Sequence, residues 1–207
     1  MTVAEIKIQT LKLMEINKAD ISLENYPSLK EDENYKEYLS RMPASITRAM
    51  NRIKTSGAVP DKSYSYPERD KSALFAEYEP NTDIPDFSKL KRVALKTQYG
   101  YASSVPFMFE GTKVIVPNVK QGCVVTFIYE PKMPVITPIT DDLNTEIPLP
   151  EELCSIIPYF VKADVFEQDE PALATQARNI FEAMLAEYQP QEQNAEQSIQ
   201  SVYTQGW

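Results

Sequence analysis

Two hydrophobic rhythms divide this chain. Towards both ends apolar residues recur at i, i+3, i+4 and i+7, which gathers them on one face of a helix; in the middle they fall in short runs rich in Val, Ile, Phe and Thr, as strands require. Helices outside with strands between imply an α+β fold: a mainly helical domain carrying a β-rich hairpin or small-sheet insertion, with extended arms.

Residues 1–57 form the N-terminal helical part. Val3, Ile6, Thr10, Leu13 and Met14 share one side of a first helix, and Pro43 suits the first turn of a later one whose apolar face is Met42, Ile46, Ala49, Met50 and Ile53. Gly57 is placed to end it. Residues 58–88 carry Pro60, Pro67, Pro80 and Pro85 among many charges, so they read as an extended arm, with Tyr64, Tyr66 and Tyr78 as subunit-contact residues. The β-rich insertion spans 89–147. Its last run, 122–129, is apolar at odd positions and at Val124 and Ile128 as well, which predicts a strand covered on both faces.

Residues 148–188 return to helical spacing. Pro150 can open a helix with Leu153, Ile156, Ile157 and Phe160 on one face, and Pro171 a second with the stripe Leu173, Ala177, Ile180, Phe181, Met184 and Tyr188. The tail, 189–207, is glutamine-rich until Ile199, Val202, Tyr203 and Trp207. The first three have the spacing of a short helix presenting one face to a groove on another protein, making these four a docking element.

Histidine is absent, which removes the commonest proton-transfer side chain near neutral pH. None of the five glycines has the spacing of a phosphate-cradling loop, and Cys123 and Cys154 lie too far apart in apolar surroundings for a zinc pair. Catalytic, metal and cofactor residues are therefore expected to be none. Asp141-Asp142 and Glu151-Glu152 lack the separation a two-carboxylate hydrolase needs, and the glutamates suit a helix start instead. Glu31, Asp32 and Glu33 lack the oxygen spacing of a calcium loop, and Cys154 has no histidine base. A net charge of -9 disfavours tight grip on a phosphate backbone, although Lys89, Lys91, Arg92 and Lys96 make a local basic cluster, and Lys113 and Lys120 flank the hairpin. No run of apolar residues is long enough to span a membrane.

The closing stretch carries a pattern: Leu149-Pro150-Glu151-Glu152-Leu153, then Ile157-Pro158-Tyr159-Phe160-Val161, then Asp169-Glu170-Pro171 followed by Leu173, Ala174, Ala177, Arg178, Asn179, Phe181 and Glu182. With Met42-Pro43, Ile46, Arg48 and Ile53 upstream, it resembles the head-tail connector (adaptor) proteins of tailed bacteriophages. The resemblance implies a non-enzymatic virion protein, made in the host cytoplasm and placed at the virion neck. There a ring of about twelve copies joins the portal protein to the tail or to a second connector. DNA would pass through without sequence-specific binding, and the 189–207 tail would dock on the portal. The alternative is a nucleic-acid-binding module using the basic cluster at Lys89 to Lys96; a hydrolase built on the carboxylates has no constellation to support it.

Overall fold

In the computed structural model, which describes residues 1–14, 21–97, 100 and 102–188, the chain forms two units. One is built from residues 1–58 together with those from Pro134 onward; the other is residues 59–133, inserted between them.

The first unit is helical. Helix α1 (Val3–Leu13) is buried on more than the one side expected, with Ala4, Ile8 and Leu11 enclosed as well as Val3 and Ile6. Its start is fully capped. Thr2 and Glu5 form a reciprocal capping box, with the Glu5 N–H donating to Thr2 Oγ1 (3.2 Å) and the Thr2 N–H to Glu5 Oε2 (2.8 Å). The N–H groups of Val3 and Ala4 donate to the carbonyls of Thr145 and Asp142, so a distant loop supplies acceptors the helix cannot.

A short helix α2 (Tyr26–Glu31) leads to α3 (Glu33–Thr55), capped by Asp32, whose Oδ1 accepts from the Asn34 N–H. Pro43 does not open this helix, contrary to expectation, but lies inside it. Proline forfeits one ladder bond there, while Met42, Ile46, Ala49, Met50 and Ile53, all fully buried, hold the turns on either side. Helices α5 (Glu151–Phe166) and α6 (Pro171–Glu187) complete the unit; α5 packs against α1, α3 and α6. The buried stripe of α6 is Ala174, Ala177, Phe181 and Leu185, rotated from the expected one: Leu173, Ile180 and Tyr188 are each more than a third exposed.

The second unit is all strand apart from one short turn of helix. Strands β1 (Lys62–Ser65), β7 (Val124–Pro131), β3 (Phe87–Lys96) and β4 (Ala102–Val105) form an antiparallel sheet in that order. A second sheet has β2 (Ala73–Tyr78), β6 (Lys113–Val119) and β5 (Met108–Glu110), and α4 (Pro80–Asp83) bridges β2 to β3. Both sheets feed one apolar core, with Ala76, Tyr78, Val114 and Val116 from the three-stranded sheet and Val93, Val125 and Phe127 from the other. Gly111, at φ 61°, supplies the left-handed residue of the β5–β6 hairpin, whose flanking pair is Glu110 and Lys113.

Residues 58–88 are thus not an extended arm. Their prolines sit between the paired segments, leaving β1 free to bond β7 and β2 to bond β6. The insertion also begins earlier and ends earlier than its composition suggests, because 134–147 pack with the helical unit.

Candidate functional site

The tyrosines expected to contact a neighbouring subunit serve the β core. Tyr66 meets Tyr64 (5.0 Å) and Phe127 (5.1 Å) edge to face and Tyr78 (4.4 Å) at a tilt, and Tyr78 is itself buried. Aromatic rings on inward positions of two sheets fill such a core with large area per residue, which corrects the contact assignment for Tyr66 and Tyr78; Tyr64 packs against the core's margin. The other set, Ile199, Val202, Tyr203 and Trp207, lies outside the described residues.

The basic cluster is gathered on one surface by two β-bulges in β3. The pairing with β7 slips between Phe87 and Lys89 and again between Leu90 and Arg92. Each slip turns a further side chain outward, so Phe87, Leu90 and Val93 point to the core at intervals of three while Lys89, Lys91 and Arg92 stay exposed. Lys89, Arg92 and Lys96 lie opposite Glu130, Ile128 and Val124. Lys91 is neutralised by Glu130 at 2.6 Å, whereas Lys89, Arg92 and Lys96 have no ion pair among the described residues. Ser63 and Ser65 of β1 and Ser104 of β4 extend the same outward face with small hydroxyls, and Ser65 Oγ lies 2.8 Å from Thr126 Oγ1.

The acidic pairs separate. Asp141 is a turn residue, accepting from the Asn144 N–H and side-chain amide at 3.3 and 2.8 Å. Asp142 instead enters the helical unit, 2% exposed, and accepts from Lys7 Nζ (2.9 Å), Lys30 Nζ (2.8 Å) and the Tyr26 hydroxyl (2.6 Å). Burial opposes its ionisation, but those three donors outweigh burial and hold its carboxyl below the ordinary value. Lys7 shows the converse balance: burial exceeds the help from Asp142 and lowers its pKa. Glu151 and Glu152 are exposed in the first turn of α5, and Asp32 is spent on capping α3.

Sequence reasoning missed two polar centres. Asp142 is one; its only signal was a carboxylate within a proline-bracketed loop. The other is Asp164 on α5, which accepts from Arg48 of α3 (2.7 Å) and Arg178 of α6 (2.6 Å) while the Arg178 guanidinium lies 4.2 Å from the Phe160 ring centre. Asp142 ties its loop to α1 and α2, Asp164 ties α5 to α3 and α6, and neither places an acid and a base around an open space.

A cavity of ≈ 280 Å³ lies among Leu13, Tyr159, Lys162, Leu173 and Ile180. Its ammonium group is committed, since Lys162 Nζ donates to the Leu13 carbonyl at 2.6 Å. Cys154 is buried, which pushes its thiol pKa up and away from nucleophilic use. Among the described residues no group of His, Cys, Asp and Glu could hold a metal ion, and no helix is long and apolar enough to cross a membrane. Neither the protein-family models nor the curated proteins compared with the chain give a match.

Proposed function

We propose that this chain is a structural, non-enzymatic subunit of a phage head-tail connector, an adaptor that forms a ring between portal and tail and leaves a channel for DNA. The observation that carries the reading is the fate of the segment bearing the resemblance. Residues 149–187 fold as the α5–α6 pair, with Phe160 against Phe181 at 5.0 Å and Asp164 tying both helices to α3. The motif residues thereby act as a packing unit: Leu153, Ile157, Phe160, Val161, Ala177 and Phe181 are buried, while Asp169 and Glu182 pair with Arg41 and Arg52 of α3. A mainly helical domain interrupted by a β-rich insertion also suits a ring component, because the insertion can meet neighbours without disturbing the helical core.

The measurement that tests this is electron cryo-microscopy of portal rings mixed with the full chain. Density for the chain on the portal supports the connector, and its absence removes it. Deleting Ile199 through Trp207 is expected to keep the fold and abolish portal attachment; unchanged attachment would discard the docking role of that tail.

A second reading rests on one observation: Lys89, Arg92 and Lys96 share a single sheet face and have no ion pair among the described residues. Such a face can contact nucleic-acid phosphates, and binding to duplex DNA that weakens steeply with salt would favour it.

A further inference from the structure

The outward face of the four-stranded sheet combines features that a phosphate-binding surface does not need. Along β7 the side chains alternate between fully buried and half-buried, so Val124, Thr126 and Ile128 leave an incompletely covered surface at the centre of the sheet. A strand apolar on both sides calls for cover on both sides, and among the described residues the second cover is incomplete. Around that partly apolar strip stand Lys89, Arg92 and Lys96, which have no ion pair among the described residues.

The complementary charge is present in the same chain. Residues 134–207 hold thirteen of its thirty acidic residues but two of its twenty-one basic ones. In the turn between α5 and α6, Glu167, Asp169 and Glu170 are all exposed; Asp169 is 3.4 Å from Arg41, and Glu167 and Glu170 have no ion pair among the described residues.

We propose that the outward β1–β7–β3–β4 face is an interface for a second copy of this chain, receiving the acidic α5–α6 corner of that copy against its basic residues. The contact is heterologous, since one surface of a protomer meets a different surface of the next, and such contacts generate rings when the rotation closes. Half-buried Val124 and Ile128 provide the apolar centre, and the Lys and Arg side chains set the register around it. The proposal rests on the self-association contained in the connector reading and names the surface that carries it.

Sedimentation velocity of the full chain tests it with paired charge reversals. One variant carries Arg92→Glu and Lys96→Glu, the other Glu167→Lys and Glu170→Lys; all four side chains are exposed, and circular dichroism verifies that each variant folds. The wild type is expected to self-associate in low salt and to weaken as salt is raised. Each variant alone is expected to associate about tenfold more weakly or worse, and the equimolar mixture to recover association, since the unchanged face of the second variant meets the unchanged corner of the first and the two reversed surfaces attract each other. The neutral pair Arg92→Gln with Lys96→Gln, expected to fall between wild type and reversal, serves if a reversed variant fails to fold.

A wild type that stays monomeric in low salt, variants that associate like it, or a mixture that does not recover would overturn the proposal. So would binding of a duplex oligonucleotide that the first variant loses while self-association persists, which assigns the face to nucleic acid. Rings of the reversed variant on the portal, seen by microscopy, would discard this surface while retaining the connector. Failure of the wild type to decorate the portal discards the connector and leaves the mixing experiment intact.

Discussion

Asp142 shows how a charge survives inside a small helical core. Three donors surround one carboxylate, and two of them, Lys7 and Tyr26, are as deeply buried as it is. Removing one partner of such a network strands the others, so Asp142→Ala should destabilise the helical unit by about 3–5 kcal/mol, measured by urea unfolding. The pH dependence follows from the direction of the shift. Because the folded carboxyl titrates below its ordinary value, the unfolded chain takes up the proton first as pH falls. Asp142 thus contributes fully above about pH 5, and the contribution erodes below about pH 4. Asp142→Asn should flatten the slope of stability against pH in that window; an unchanged slope would assign it to other carboxylates. Tyr78 is the opposite case, since its hydroxyl is buried without a partner among the described residues. Tyr78→Phe removes an unpaired polar group and keeps the ring, so stability should stay level or rise by up to about 1 kcal/mol in the same assay.

Elements were legible where one face alone carries the packing. The α3 face from Met42 to Ile53 could be read directly, because helical spacing and burial coincide there. In α6 they do not. Leu173, Ile180 and Tyr188 are as apolar as the buried set but face outward, and alanines, which carry little hydrophobic signal, take two of the four buried positions. Strand β3 hid itself differently: its two bulges set Phe87, Leu90 and Val93 at intervals of three, a rhythm nearer a helix than a strand. The candidate basic surface was legible as a cluster, but which cations remain unpaired depends on Glu130, a residue on another strand. Phe181 separates the two faces of α6 experimentally. Phe181→Ala should cost about 3–5 kcal/mol because the ring is fully buried against Phe160, whereas Ile180→Ala, one position away, should cost less than about 1.5 kcal/mol. Equal effects would mean that the helix is rotated from the described orientation.

At the scale of the molecule, the strands form a unit inserted in sequence between the two parts of a helical one. Composition signalled an insertion but misplaced its limits, since proline-rich, charged residues 58–88 resemble a loop while their bonding partners, β6 and β7, lie some forty to sixty residues downstream. Nonlocal pairing of that kind leaves little trace in a window of sequence. The insertion nevertheless has what independent folding requires: seven strands in two sheets, a shared core that includes Val93, Val114, Val116 and Phe127 at full burial, and its own ionic clasp, in which Asp86 accepts from Lys62 (2.6 Å) and the Tyr129 hydroxyl (2.7 Å). Burial, and after it that clasp, push the Tyr129 hydroxyl up to about 12, so it stays protonated through the physiological range. Residues 59–133 expressed alone should therefore give a dispersed amide spectrum and a cooperative thermal transition. A domain of this size is marginal, with stability of a few kcal/mol at most, so Asp86→Ala should be enough to abolish the transition in the fragment. If the fragment stays unfolded even with Asp86 intact, the β unit draws its order from the rest of the chain, and folding proceeds as one cooperative event across both units.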